Sequence, residues 1–191
     1  TSYEDGDIPG EGYDASPVRV DEGATATING GAINNVSNFT VAIDNYGTTP
    51  INNGTFTTIH TTIANSASMT IDGGSFTCNG LEGVTAHTII AWEDSETTIN
   101  GGTFDGKDNY NGFNVDASKG AIVNINGGKF LPVHSGSLYG DGTIIVKGGT
   151  FFDQIAESRI DSDYKLVKSG ENWTLERKAD VAKIGEVGYT S

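Results

Sequence analysis

The hydrophobic positions of this chain recur in six copies of one short phrase. The fourth copy reads Thr98-Ile99-Asn100-Gly101-Gly102-Thr103-Phe104. The first aliphatic positions of the copies, 28, 51, 71, 99, 125 and 146, lie 23, 20, 28, 26 and 21 residues apart. A repeat of roughly 20 to 50 residues is typical of solenoids, propellers and arrays. The pattern therefore predicts a repeat architecture.

Within each copy, the alternation of side chains predicts a strand, a sharp corner and a second strand. In the fourth copy Ile99 and Phe104 are expected to point inward, and Thr98 and Thr103 outward. The Asn-Gly-Gly segment makes the corner because Gly accepts a positive φ and Asn tolerates one, and Gly101→Val is expected to cost more than ~1 kcal/mol if Gly101 requires a positive φ. The predicted corner glycines are Gly30, Gly31, Gly54, Gly73, Gly74, Gly101, Gly102, Gly127, Gly128, Gly148 and Gly149. The predicted core column consists of Ile28, Ile51, Phe56, Ile71, Phe76, Ile99, Phe104, Ile125, Phe130 and Phe151.

A second apolar stretch in most repeats brings the expected number of short strands to two or three per repeat. That number fits one rung of a parallel β-helix, whereas a propeller blade needs about 40 residues and a leucine-rich repeat needs a Leu ladder. No segment shows a sustained helical period. We therefore predict an all-β fold, a right-handed single-stranded parallel β-helix of about six rungs with a C-terminal β-hairpin cap.

Three regions follow from these patterns. Residues 1–17 are acidic and Gly-rich, and are expected to form an extended arm or N-terminal cap. Residues 18–156 form the predicted β-helix. In residues 157–191, two stretches of period two at 164–168 and 173–177 predict the hairpin cap. The residues after the hairpin are expected to begin a linker or a next module.

The net charge restricts the classes of binding partner, and the cysteine count excludes a disulfide within the chain. The formal net charge of −14 opposes binding to nucleic acid phosphates and to anionic membranes. Cys78 is the only cysteine, so an internal disulfide is excluded, and a small buried apolar role is expected for it. No membrane-inserting segment is visible. The expected partners are other protein subunits or modules, with a glycan and a second copy of the chain as further candidates.

The repeated corner, followed by the hairpin from Tyr164 to Leu175, resembles the pectate-lyase-like parallel β-helix modules of large bacterial surface proteins, which are adhesin-like, and of phage structural proteins. The resemblance covers about residues 20–190. It implies a non-catalytic, extracellular structural or adhesive module on a cell surface. The alternative it offers is a virion component, such as a capsid decoration or tail protein.

Catalysis is the minority interpretation. A polysaccharide lyase or glycoside hydrolase needs clustered carboxylates, and the densest central group is Glu93, Asp94 and Glu96, which is also typical of a solvated turn. Asp105 and Asp108 are weak candidates for a metal site because the EF-hand spacing is missing. Phosphate-binding and dinucleotide-binding motifs are absent, and no cofactor is predicted.

Aromatic residues in the two longest repeats give the best indication of binding. Trp92, Tyr110 and Phe113 lie there, and extra residues in a solenoid repeat form loops that are often on the binding face. An exposed ring at these positions would stack on a sugar. The alternative is that Trp92 and Phe113 fill the core beside longer loops.

Overall fold

The computed structural model describes residues 16–34, 41–80, 85–107 and 112–178. Almost all of the predicted arm at 1–17 lies outside these ranges, as do Asp108, Tyr110 and residues 179–191. Within them, the one helical element is a short 3₁₀ helix, and no helix is long and apolar enough to span a membrane.

The described residues form nineteen short strands. In chain order these are β1 (Val18–Val20), β2 (Ala32–Asn34), β3 (Ile43–Asn45), β4 (Thr48–Ile51), β5 (Thr55–Thr58), β6 (Ile63–Asn65), β7 (Ser68–Ile71), β8 (Ser75–Cys78), β9 (Ile89–Ala91), β10 (Glu96–Ile99), β11 (Thr103–Asp105), β12 (Val115–Ala117), β13 (Ile122–Ile125), β14 (Lys129–Phe130), β15 (Leu138–Tyr139), β16 (Thr143–Val146), β17 (Thr150–Phe151), β18 (Tyr164–Ser169) and β19 (Asn172–Arg177). The 3₁₀ helix, Glu157–Arg159, follows β17.

The strands stack into three sheets, because each turn of the chain adds one strand to each sheet. Sheet A has the order β1-β3-β6-β9-β12-β15, and sheet B has the order β16-β13-β10-β7-β4. Sheet C runs β18-β19-β17-β14-β11-β8-β5-β2. Equivalent repeat positions pair in parallel register, as Ile71 does with Ile99. The predicted all-β parallel solenoid is confirmed, with about five turns where the sequence suggests six rungs.

The inward side chains form continuous columns along the solenoid axis. Five phenylalanine rings of sheet C stack nearly parallel, with centroids 4.6–5.2 Å apart. These are Phe56, Phe76, Phe104, Phe130 and Phe151, all at most 1% exposed. Ile51, Ile71, Ile99 and Ile125 are completely buried in sheet B, whereas Ile28 in the first rung is only partly buried. The interior is thus one apolar core that each rung extends.

The two glycines of a corner are required for different structural reasons. In the fourth copy the positive φ lies at Gly102 (φ +98°) and not at Gly101. Gly101 is required because the preceding rung passes close beneath it: a Cβ there would lie 2.4 Å from the backbone oxygen of Asp72. One glycine therefore allows the turn and the other allows the rungs to approach.

A buried asparagine ladder supports the turns between sheets A and B in the early rungs. The Nδ2 of Asn45 donates to Oδ1 of Asn65 (2.7 Å), and the Nδ2 of Asn65 donates to Oγ1 of Thr97 (2.9 Å). The equivalent positions in later rungs are Ala91 and Ala117. There the turn is two residues longer, and backbone hydrogen bonds such as Ser95 N–H to Trp92 O close it instead.

The expected hairpin closes the C-terminal end. Strands β18 and β19 pair antiparallel, and β19 also pairs antiparallel with β17 at the end of sheet C. In this register Trp173 lies opposite Phe151, the last ring of the phenylalanine column. The hairpin therefore covers the final rung of sheet C with a different strand direction, which ends the parallel stack.

Candidate functional site

Charged and aromatic residues meet on the outer face of sheet A near its C-terminal end. The outward position at the middle of each strand is occupied in turn by Arg19, Asp44, Ala64, Ile90 and Asp116. The last strand places Tyr139 in register with Asp116. His87 and Phe113 lie two residues before β9 and β12, and Arg159 comes from the 3₁₀ helix.

His87 is held by both of its ring nitrogens. The backbone N–H of Phe113 donates to Nδ1 (3.3 Å), and Nε2 lies 3.4 Å from Oδ2 of Asp116. Because Nδ1 accepts a hydrogen bond, the neutral imidazole carries its proton on Nε2, facing the carboxylate. The backbone N–H of His87 itself donates to Oγ1 of Thr61 in the preceding rung. His87 therefore links the three rungs that hold Thr61, His87 and Asp116.

Burial keeps His87 neutral. Its side chain is almost completely buried, and desolvation, followed by the neighbouring His60, lowers the pKa of His87 to about 4. The Asp116 carboxylate would favour the charged imidazolium, but the cost of burying that charge outweighs this attraction. At neutral pH His87 is thus a neutral imidazole whose Nε2 faces Oδ2 of Asp116.

Burial also shifts the pKa values of Asp116 and Arg159. Desolvation raises the pKa of Asp116, which the Arg159 guanidinium opposes and the Asp141 carboxylate reinforces. Burial lowers the pKa of Arg159, and Asp116 opposes that shift. The Nη2 of Arg159 donates to the backbone oxygen of Gly140 (3.1 Å). Its Nη1 is shielded from solvent and has no hydrogen-bond partner among the described residues. The guanidinium is therefore positioned by Nη2, while Nη1 is buried.

An aromatic stack lies beside these charges. The ring of Phe113 is 6.0 Å from that of His87 and 4.2 Å from that of Tyr139, and both pairs are nearly parallel. Tyr139 belongs to the last strand of sheet A and is 53% exposed. One face of the tyrosine ring is thus supported by Phe113, and much of the remainder is accessible to solvent.

A cleft adjoins the stack through Gly140, the residue after Tyr139. Its volume is about 490 Å³, and it lies between the turn at 140–142, strand β16 and the 3₁₀ helix. The lining includes Gly140, Ser158, Arg159 and Asp161. Asp161 is also 3.8 Å from Nζ of Lys147. The cleft combines hydrogen-bond donors and acceptors with the apolar edge of β16.

The aromatic residues predicted to bind a ligand do not form one group. Trp92 is 39% exposed and directly follows β9, whereas Phe113 lies two residues before β12. Because Ile89 pairs with Val115, Phe113 is level with His87, which is five residues before Trp92. Five residues of an extended strand span about 16 Å. Phe113 belongs to the stack with Tyr139 before the amino ends of the strands, whereas Trp92 lies beyond the carboxyl end of β9. Tyr110 is outside the described residues.

The predicted acidic candidates are also separated. Glu93 and Asp94 lie in the exposed turn after β9, and Glu96 begins β10. Asp105 ends β11, where its Oδ1 accepts a hydrogen bond from the backbone N–H of Lys107 (3.0 Å). Asp108 is outside the described residues. Across the described ranges no group of three or more His, Cys, Asp or Glu side chains is arranged to hold a metal ion.

Sequence reasoning missed Tyr139, Asp116 and Arg159 as members of one site. A usable signal existed for Tyr139: Leu138 precedes Val146 by eight residues, as Ile63 precedes Ile71. That spacing makes Leu138 an inward sheet A residue and Tyr139 its outward neighbour. Arg159 gave no such signal, because the 3₁₀ helix that brings it to sheet A lies outside the repeat.

Comparisons with protein-family models, with curated proteins and with solved structures return no match for this chain. The parallel β-solenoid architecture rests on the strand pairing itself.

Proposed function

We propose that this chain is a non-catalytic, extracellular structural and adhesive β-solenoid module. One observation carries the proposal: the phenylalanine column runs through five successive rungs, from Phe56 to Phe151. Buried rings at van der Waals separation resist bending and sliding of the rungs, because interiors are close-packed. A solenoid of this kind holds its ends at a fixed distance, as a spacer or display rod requires.

Polar ladders support the same role. Outside the core, the Nδ2 of Asn126 donates to Asn100, and the Nδ2 of Asn100 donates to Asp72, at 2.9 and 2.8 Å. These side chains occupy equivalent repeat positions and bond along the axis from rung to rung. The net charge of −14 favours solubility of a strand-rich rod and discourages unwanted strand pairing.

If the chain is a spacer, each inserted repeat should lengthen the solenoid by a fixed step. Duplicating residues 51–70 inserts one full repeat, because Ile51 and Ile71 are register partners. We expect spin labels at Glu22→Cys and Glu157→Cys, both exposed positions, to move apart by about 4.8 Å. The control is a flexible Gly/Ser insertion of equal length. A duplication that broadens the distance distribution as the flexible insertion does would contradict a stiff rod.

The location is tested by immunogold labelling of the organism that makes the protein, and of particles released from it. Label on the cell surface supports the proposed module, and label on virions supports the virion alternative, which uses the same stiffness for capsid or tail assembly. Label confined to the cell interior would overturn both.

Catalysis is tested by incubating the chain with neutral and acidic polysaccharides. We expect neither new reducing ends nor unsaturated-uronate absorbance. Product formation that disappears in Asp105→Ala or Glu93→Ala would overturn the non-catalytic proposal and identify the carboxylates responsible.

A further inference from the structure

The exposed ring of Tyr139 has the properties of a binding platform. Phe113 covers one side at 4.2 Å with an interplanar angle of 8°, which fixes the orientation of the tyrosine ring. The ring is about half exposed and belongs to the last strand of its sheet. A rigid, accessible aromatic face loses little side-chain entropy when a flat apolar surface packs on it.

Directional polar groups surround this platform. Asp116 lies in register beside Tyr139, and its Oδ2 is 3.4 Å from Nε2 of His87. Arg159 is anchored to the backbone oxygen of Gly140, next to the tyrosine, and lines the adjoining cleft. A fixed carboxylate and a fixed guanidinium together offer an acceptor and several donors, which is the combination that neighbouring hydroxyl groups of a sugar require.

The adjoining cleft offers a ligand a second contact surface. Its volume of about 490 Å³ is within the range of small-ligand sites, and Ser158, Arg159 and Asp161 supply polar groups along it. Since Gly140 lines the cleft and follows Tyr139, a ligand longer than one ring would contact both the platform and the cleft.

The negative charge around the site favours an uncharged sugar over an anionic one. Asp116, Asp141 and Asp161 lie in or beside the site, and Arg159 is its single arginine. The whole chain carries a net charge of −14. An anionic sugar would meet this field unfavourably, whereas an uncharged one would use the carboxylates as hydrogen-bond acceptors.

We propose that the outer face of sheet A at its C-terminal end binds a neutral oligosaccharide, with one sugar ring stacked on Tyr139 and its hydroxyl groups hydrogen-bonded to Asp116 and Arg159. The chain then continues into the cleft beside Gly140. This proposal rests on the adhesive part of the proposed function and gives it a ligand class.

The experiment is calorimetric titration of the full chain with hexasaccharides, after a glycan array has selected the backbone type. The probes are cellohexaose, xylohexaose, mannohexaose and hexa-N-acetylglucosamine, with hexagalacturonate as the anionic comparison. We expect at least one neutral probe to bind with little dependence on salt. Tyr139→Ala is expected to weaken that binding at least ~10-fold, and Tyr139→Trp to retain it, because stacking needs only an aromatic face.

Matched controls separate the site from the rest of the surface. Phe152→Ala removes another exposed aromatic ring (46% exposed) and should leave the affinity unchanged. Arg159→Gln should weaken binding while thermal unfolding shows that the chain remains folded. Trp92→Ala removes the exposed ring at the carboxyl end of β9 and is expected to have no effect.

Four results would overturn the proposal: no neutral probe binding at millimolar concentration, preference for hexagalacturonate, loss of binding in Trp92→Ala but not in Tyr139→Ala, or full binding by Tyr139→Ala. None of these would change the length step measured on the duplicated rung. Failure of the sugar site is therefore distinguishable from failure of the spacer role.

Discussion

The backbone oxygen of Asp72 lies directly against Gly101, and a Cβ on Gly101 would be only 2.4 Å from it. The same contact recurs at the first glycine of later corners, where a Cβ would meet a backbone oxygen of the preceding rung at 2.3 Å for Gly127 and 2.1 Å for Gly148. Gly30 in the first rung has nothing within 4 Å of that position. The first glycine of these later corners is therefore required because the backbones of successive rungs approach closely there.

This contact predicts that Gly101→Ala destabilises the protein although it keeps an allowed backbone conformation. Overpacking of a close-packed region costs roughly 1–3 kcal/mol, and the obstructing atom belongs to the backbone. Chemical denaturation measures the loss of unfolding free energy. Gly30→Ala is the matched control and should change it by less than ~0.5 kcal/mol. Equal effects of the two substitutions would show that rung spacing does not require the first glycine.

The second glycine of a corner predicts a different cost. Gly31 and Gly102 have φ of +104° and +98°, which disfavour any residue with a Cβ. Gly31 has no atom within 4 Å of a Cβ, so Gly31→Ala isolates backbone strain, about 1–2 kcal/mol. Gly102→Ala adds contacts at 3.2 Å with Gly74 and should cost more. Circular dichroism melts of the pair report the difference, and identical melting temperatures would contradict it.

The repeat was sufficient to predict the architecture because it encodes local rules. Ile99 and Phe104 alternate about a glycine corner, and each finds its partner one repeat away. The sequence did not distinguish the roles of Gly101 and Gly102, because the close approach at Gly101 depends on the rung beneath it. A single copy of the phrase contains no information about that neighbour.

The candidate site was less predictable because it is assembled from irregular segments. His87, Asp116 and Arg159 are far apart in the chain, and only the stacking of β9, β12 and β15 with the following 3₁₀ helix brings them together. Phe113 was identified from the long repeat that contains it. Its partner Tyr139 belongs to a short repeat, where loop length gave no reason to search.

The buried amide of Asn65 predicts that truncating this one side chain lowers the unfolding free energy substantially. Asn65→Ala removes the donor to Oγ1 of Thr97 and the acceptor of the Ala67 backbone N–H, whereas the Asn45 amide keeps the backbone oxygen of Ser68 as an acceptor. Each buried group left without a partner costs about 1–3 kcal/mol. We expect unfolding free energy to fall by at least ~2 kcal/mol in urea titration. Asn126→Ala removes an exposed ladder bond at 2.9 Å and should cost less than ~1 kcal/mol. A larger effect at Asn126 would contradict the assignment of the inner ladder as the stabilising one.

His87 predicts how stability depends on pH. Its pKa in the folded protein is about 4, against 6.5 for the ordinary side chain, so the unfolded chain binds the proton more readily between these values. Stability is therefore full above pH 6.5 and is lost as pH falls toward 4. From pH 7 to pH 5 the loss from His87 is about 2 kcal/mol. The lowered pKa of His60 adds in the same direction, whereas the raised pKa of Asp116 acts oppositely at lower pH.

Urea midpoints measured between pH 5 and pH 7.5 test this assignment. His87→Gln keeps a polar side chain but cannot titrate, so its midpoint should vary less with pH than that of the parent chain. His134→Gln, at an exposed position, is the control and should keep the parent's pH dependence. If His87→Gln retained the full slope, the acid sensitivity would belong to another group, and burial would not be what keeps the imidazole of His87 neutral.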